Sequence, residues 1–297
     1  MLWLLFAFLS PLLWSMNSVL NKIMLSKIVK NPLSYFVLGN LIHTPLVFLA
    51  AFFFFPPTFS FNFFVLSLIS SILGSSAFIC FLFALRSDDA SKVGPLSKIG
   101  VIFTLILAFF FLGEELTLYK YFGIVLILVG VFLLSYKKTK GKFNFSPALV
   151  FVILSGLFFS SATIMDKYIL DHIDFWSRYV WGTIGANILA YTLYQNKNVK
   201  KHFFELTQAK IKYYFFTELN SILGMGGLIA YFVALSLGQA SLVSAIGATG
   251  PLMTLILAIC FSLFIPRLLK EEITKKNLAI KLFSIITIIV GVIITII

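Results

Sequence analysis

Lys98 and Glu218 are the residues whose types and positions suggest chemistry. Each lies inside an apolar run, at 91–112 and 213–236. Each sits roughly 8–12 Å from the start of its run, at 1.5 Å per helical residue. Both runs begin from the same face, so an ammonium and a carboxylate share a depth. An ionisable group inside an apolar span is costly, which makes it a candidate for function. In one reading Lys98 and Glu218 face a central cavity, paired or holding a charged group of a bound solute. In the other, each reaches back to nearby headgroups.

Neutral polar residues form a second set. Asn17 lies deep in the first run, Asn220 follows Glu218 by two, Asn187 lies in the seventh run, and Asn40 and His43 lie in the second. A buried amide needs partners, and gluing helices together is its plainer role. Trp14, Trp181 and Tyr231 have faces that could stack on a planar or apolar solute; packing and lipid contact are their plainer roles. Gly74, Gly94, Gly100, Gly224, Gly226, Gly227, Gly247 and Gly250 crowd the third, fourth, eighth and ninth runs, with Pro251 beside them. Small residues let helices approach and bend, so these runs are expected to wall the cavity. Asp166 and Lys167 end their run and read as interface anchors.

Enzyme motifs are missing. His43, His172 and His202 are isolated, with no H-E-x-x-H, no G-x-S-x-G and no P-loop. The expectation is no enzyme, no cofactor, no metal and no ATP. Cys80 and Cys260 fall inside apolar runs and read as membrane-buried thiols.

The elements that hold these residues follow from composition. The 297 residues are 60% hydrophobic and 11% charged, with 35 Phe, too much apolar surface for a soluble core of this size. The net charge of +12 comes from basic residues lying mostly between the runs. They act there as topology signals, not as a nucleic-acid surface. The first run begins at Leu2 without a basic start or a small-residue cleavage site, so it reads as a retained span. About 20 apolar residues cross a bilayer. Ten segments qualify: 2–24, 33–54, 63–86, 91–112, 117–136, 147–169, 175–194, 213–236, 241–265 and 278–297. Lipid requires internally bonded backbones, hence helices. The alternating pattern of a β-barrel is absent.

The chain also repeats. From Ser71 to Ala108, 16 of 38 positions are identical to those 150 residues later. Chance would give about one in ten. Ser10, Leu12, Ser15, Lys22 and Leu25 echo Ser155, Leu157, Ser160, Lys167 and Leu170; Ser34, Val37 and Gly39 echo Ser177, Val180 and Gly182. The halves are 1–136 and 147–297, joined by a basic linker at 137–146. Five spans per half is an odd number, so the second half enters from the opposite side. That is the inverted-repeat plan of secondary transporters.

Leu112-Gly113-Glu114-Glu115-Leu116-Thr117, with Gly123 and Leu128-Val129-Gly130-Val131 following, resembles the signature of EamA-like members of the drug/metabolite transporter superfamily. Trp14-Ser15-Met16-Asn17, Ala90-Ser91, Ala240-Ser241 and Gly250-Pro251 resemble further motifs of that family. Two departures stand out. Pro266-Arg267-Leu268-Leu269-Lys270-Glu271 replaces the Leu-Gly-Glu element in the second half, and Val101 stands where Pro251 does.

The resemblance implies a basket of helices around a central solute site, and export of amino acids or related small metabolites. A nucleotide-sugar or lipid-precursor carrier, or a non-transporting assembly subunit, are the alternatives. The basic loops put both termini outside, whereas the resemblance implies cytoplasmic termini. The expectation is therefore an all-α polytopic membrane protein of the plasma or inner membrane. Ten transmembrane helices form two inverted five-helix repeats around a central cavity. Its partners would be a small-molecule solute, the lipid bilayer, a coupling ion, and a second copy through spans five and ten.

Overall fold

Long runs of Leu, Ile, Val and Phe offer no water to the backbone, so each main-chain N–H and C=O must be bonded within its own segment. The computed structural model describes residues 2–27, 29–53, 55–87, 93, 96–134, 147–208, 211–254, 257 and 275–296, and these contain helices and connections but no strand. The helices are α1 (Leu2–Lys27), α2 (Pro32–Phe53), α3 (Phe61–Ser87), α4 (Gly100–Leu107), α5 (Leu118–Leu134), α6 (Pro147–Leu170), α7 (Phe175–Tyr194), α8 (Lys197–Thr207), α9 (Ile211–Leu237), α10 (Ala240–Gly247) and α11 (Lys275–Ile296). Five of them, α1, α2, α3, α6 and α9, are long and apolar enough to cross a membrane. The segments 97–112, 118–133, 240–254 and 283–296 are shorter apolar helices. The chain is a multi-pass membrane protein. The linker at 137–146 and Gly94 lie outside the described residues.

Two short departures from α-geometry matter. A 3₁₀ turn, Ser97–Ile99, leads into α4, and a π turn, Ala108–Leu112, ends it. Gly113 then takes φ 64°, a left-handed conformation that suits glycine. The Leu-Gly-Glu element is thus a helix stop that turns Glu114 back into the protein.

Packing pairs α1 with α9, α3 with both α6 and α7, and α5 with α11. Glycines decide how close the pairs come. A Cβ on Gly123 would lie 2.8 Å from the Gly291 carbonyl, and one on Gly291 would lie 2.7 Å from the Gly123 carbonyl. The glycines of α5 and α11 are therefore spent on each other within one chain. Their outer faces carry bulky groups such as Phe122, Val125, Phe283 and Ile286, all exposed. Phe110 and Phe111 are each 74% exposed, a surface suited to acyl chains. The largest core cluster lies elsewhere, where α1, α7, α9 and α10 meet around Tyr231, Phe232 and Val243.

Candidate functional site

Helix α1 presents three faces to three different partners. Its Trp14 ring is 5.3 Å from the Tyr231 ring of α9 and 6.1 Å from the Phe159 ring of α6, while Phe159 and Tyr231 are 5.7 Å apart. The Tyr231 hydroxyl is bonded to Thr163 Oγ1 at 2.8 Å. Gly227 makes room for the indole: a Cβ there would come within 2.6 Å of Trp14 Nε1. Trp14 and Phe159 occupy positions matched between the halves, so the aromatic cluster forms where equivalent residues meet.

One residue on, Ser15 turns to the break after α10. Its Oγ donates to the Gly250 carbonyl at 3.0 Å and to the Pro11 carbonyl at 2.6 Å. Lys98 comes to the same point. Its Nζ donates to the Gly247 carbonyl in a long 3.4 Å bond. A Cβ on Gly250 would lie 3.5 Å from that Nζ and 3.9 Å from Ser15 Oγ. An ammonium near the last carbonyls of α10 is favoured by the helix dipole. Lys98 therefore points inward and does not reach back to the headgroups. The helix resumes at Gly250 and Pro251 after a turn at Ala248 and Thr249.

The third face carries amides. Asn17 Nδ2 donates to the Asn220 carbonyl at 2.7 Å, and Asn21 Nδ2 donates to Asn17 Oδ1 at 2.8 Å. Asn220 Nδ2 donates to Asn21 Oδ1 at 2.8 Å and to the Tyr35 hydroxyl at 2.7 Å. Tyr35 in turn donates to Asn21 Oδ1 at 2.9 Å. This closed network joins α1, α2 and α9. Gly224 faces Asn17, and Gly74 faces Ala162 at the matched crossing of α3 and α6. Glu218 lies two residues from Asn220 and interacts electrostatically with His43 of α2. Among the described residues no ion pair joins Glu218 to Lys98. The two charges identified first in the sequence serve separate places. Asn187 donates to Thr44 Oγ1 at 2.8 Å, tying α7 to α2.

At the other end of the bundle stands a network that sequence reading missed. Arg178, 2% exposed, donates through Nε to Asp166 Oδ1 at 2.7 Å, and its Nη2 reaches both Asp166 and Ser70 Oγ. Nη1 donates to Ser71 Oγ at 3.0 Å, and the guanidinium lies 4.9 Å from the Phe232 ring centre. Asp166 is buried, not an interface anchor, while Lys167 pairs with Asp171 at the edge. The available signal was positional. Asp166 matches Asn21, Ser70 matches Asn220, and Arg178 follows Ser177 as Tyr35 follows Ser34. The charged triad and the amide triad are made by the same positions of the two halves.

Glu114 is the second residue whose role lay hidden in a motif. Its carboxylate accepts from the Ala240 N–H at 2.6 Å, the Ser241 N–H at 3.0 Å and the Ser241 hydroxyl at 2.6 Å. It caps the N-terminus of α10, where backbone donors lack partners and the dipole favours an anion.

Trp181 stands apart from the other candidates. Its Nε1 donates to the Thr58 carbonyl at 2.9 Å, and its ring packs on Phe59 and Phe64. It fastens the 55–60 connection to α7, as does Trp176, whose Nε1 donates to the Phe55 carbonyl at 2.6 Å. Asp174 caps α7 there. Burial pushes its carboxyl up, but donors from the Ser177 hydroxyl and nearby amides outweigh this and hold it below the ordinary carboxylate value. A cleft of about 520 Å³ opens at this same end, lined by Trp3, Glu114, Lys120, Lys167, Asp171 and Gln239 among others. Trp14, Asn17, Lys98, Trp181, Glu218, Asn220 and Tyr231 are not among the residues that line it.

Comparison with known proteins adds the following. The family model of the EamA-like transporter family matches residues 1–136 and 146–297. A riboflavin transporter, ImpX, of Fusobacterium nucleatum is 32% identical over 119 residues, 39% of this chain and 40% of that protein. An uncharacterised transporter of Sinorhizobium, described by its location beside cobO, is 31% identical over 67 residues, 23% of this chain and 48% of the other. An uncharacterised protein of Methanocaldococcus jannaschii is 44% identical over 69 residues, 23% of this chain and 50% of its own length. The chain thus spans about half the length of these relatives or less. A crystal structure of a protein 14% identical shares the fold, with a TM-score of 0.71 over 98% of this chain and 94% of that one.

Proposed function

The chain belongs to the EamA-like transporter family, and from that premise we propose that it is a secondary transporter exporting amino acids or related small metabolites. The observation that carries this reading is the interior around α1. A half-buried, inward-facing ammonium, Lys98, shares one point with the Ser15 hydroxyl, next to the Trp14–Tyr231–Phe159 cluster. An ammonium whose one hydrogen bond among the described residues is to a distant carbonyl is matched to an anionic group such as a carboxylate. Rings of this kind suit an apolar or planar portion. Trp14, Lys98 and Tyr231 would contact solute, and Asn17 and Asn220 would hold the helices that carry them.

The cycle we propose is a rocking of two inverted five-helix halves, 1–136 and 147–297, across ten spans in the plasma or inner membrane. Matched contacts support it. Ser160 Oγ donates to the Gly100 carbonyl at 2.7 Å as Ser15 does to that of Gly250. Thr104 and Thr254 bond back to the same two carbonyls, at 3.2 and 3.0 Å. Asn187 and Thr44, which bond each other, are equivalent positions. A riboflavin-like solute is the second reading, favoured by the relative of that name.

The deciding experiment uses purified protein in liposomes, offered each radiolabelled amino acid and riboflavin in turn. Saturable movement of a carboxylate-bearing solute, lost on Lys98→Ala in a protein that still elutes as wild type, is the expected result. Movement of riboflavin alone would transfer the assignment to the second reading. No movement of any probe would sink both.

A further inference from the structure

The two ends of the bundle are built from equivalent positions but do not close alike. At one end α7 crosses α3 with backbone nearly touching: a Cβ on Gly185 would lie 2.5 Å from the Leu68 carbonyl. The matched positions at the other end are Ile42 of α2 and Glu218 of α9, with His43 adjoining. Nearby crossings follow the same pattern. Gly100 meets the Gly156 backbone, with a Cβ on Gly100 only 3.3 Å from Gly156 Cα, while Gly250 meets Pro11 at 4.0 Å. Ser155 Oγ donates to the Ala77 carbonyl at 2.8 Å, whereas its counterpart Ser10 Oγ finds no partner among the described residues. The looser end contains a carboxylate where the tighter end has leucine.

That carboxylate is poorly satisfied. Glu218 Oε2 is buried, and no hydrogen bond from the described residues reaches it. A buried carboxylate oxygen without a donor is unfavourable unless it binds a cation or a proton. Two residues on in α9, Asn220 is bonded to Asn17, Asn21 and Tyr35. The titratable groups on α2 are His43, whose charge would interact with that of Glu218, and the Tyr35 phenol beyond Asn220. Lys98 lies at the Gly247 carbonyl and forms no ion pair with Glu218 among the described residues. His43 Nδ1 lies 2.6 Å from the Gly39 carbonyl, so Nδ1 carries the hydrogen and Nε2 is the basic nitrogen. Hard cations such as Na⁺ take a shell of oxygens, which an imidazole does not supply.

We propose that Glu218, with His43 beside it, is the proton-binding site that couples solute movement to a proton gradient. This rests on the transporter reading above. A proton from water on one face forms the O–H bond of the Glu218 carboxylic acid, and its dissociation returns the proton to water on the opposite face. The neutral acid allows α2 and α9 to close as α3 and α7 do. The carboxylate keeps that crossing open to water.

The test has two independent readouts on protein in liposomes. Infrared difference spectra between about pH 5 and about pH 9 should show a carboxylic C=O band that titrates in wild type, vanishes in Glu218→Gln and moves its midpoint in His43→Gln. Transport is read with the amino-acid and riboflavin probes. In Glu218→Gln, accumulation driven by a pH gradient should fall at least about tenfold more than solute counterflow, which needs no gradient. A band unchanged in Glu218→Gln overturns the proposal. So does equal loss of the two transport modes, or accumulation driven by a Na⁺ gradient and not by pH. If wild type moves no probe, the transporter reading fails, and the infrared titration alone decides whether Glu218 binds the proton.

Discussion

Glu114 and Ser241 lie 127 positions apart, yet the Glu114 carboxylate accepts both the Ser241 N–H at 3.0 Å and its hydroxyl at 2.6 Å. A turn that ends α4 in one half thereby starts α10 in the other. Glu114→Gln keeps the shape but loses the charge on three donors, and Glu114→Ala leaves those donors unmet. We expect Glu114→Ala to cost about 1–3 kcal/mol, with the Gln variant intermediate. Thermal unfolding of detergent-solubilised protein measures this. Equal stability of all three proteins would remove the cap from the account.

The Arg178–Asp166 pair is buried on all sides, so removing one member strands the other. Arg178→Ala should destabilise by about 3–5 kcal/mol. The equivalent neutral triad suggests a rescue. Combining Asp166→Asn with Arg178→Tyr, which copies the pairing of Asn21 with Tyr35, should be milder than Arg178→Ala alone. A double-mutant cycle on unfolding midpoints checks it, and additive losses would count against the equivalence.

Gly185 and Gly39 sit at comparable crossings with unequal room. A Cβ on Gly185 meets Leu68 Cα at 2.8 Å, whereas one on Gly39 meets only Ser221 Oγ at 3.8 Å. Gly185→Ala should cost about 1–3 kcal/mol through overpacking, and Gly39→Ala should be near neutral. Unfolding midpoints of the two variants side by side give the comparison, and a reversed order would refute it.

Asp174 yields a pH prediction. Its carboxyl is held below the ordinary value, so its folded pKa is lower than its unfolded one. The stability it adds is complete above the unfolded value, about 3.9, and is lost as pH falls through the folded value. Solvent exposure keeps the effect small. Amide exchange in the first turn of α7 should quicken below about pH 4 in wild type and be independent of pH, after correction for intrinsic rates, in Asp174→Asn.

Much of the candidate site could be read directly, and the reason is physical. A polar group in an apolar span must have a use, so Lys98, Asn17, Asn220 and Glu218 identified themselves by cost alone. What each one touches was not readable. Lys98 and Glu218 sit at similar places in their runs, but Lys98 reaches the Gly247 carbonyl and no ion pair joins the two among the described residues. Trp181 has the type of a stacking residue, yet its rotation about α7 turns it toward Thr58.

The sequence by itself determined the membrane class, the all-helical character, the family and the repeated sequence positions, because lipid imposes length and apolarity on spans and repeats preserve spacing; the polar helix α8 was not among the expected segments. Tertiary structure decided the partners. Charge in Arg178 and Asp166 looked like an end-of-span anchor because burial depends on neighbours from α3 and α9, which local sequence does not specify. The Leu-Gly-Glu element was recognisable as a motif. Only the folded chain brings its carboxylate to Ala240 and Ser241, since a cap across halves exists only once both halves have packed.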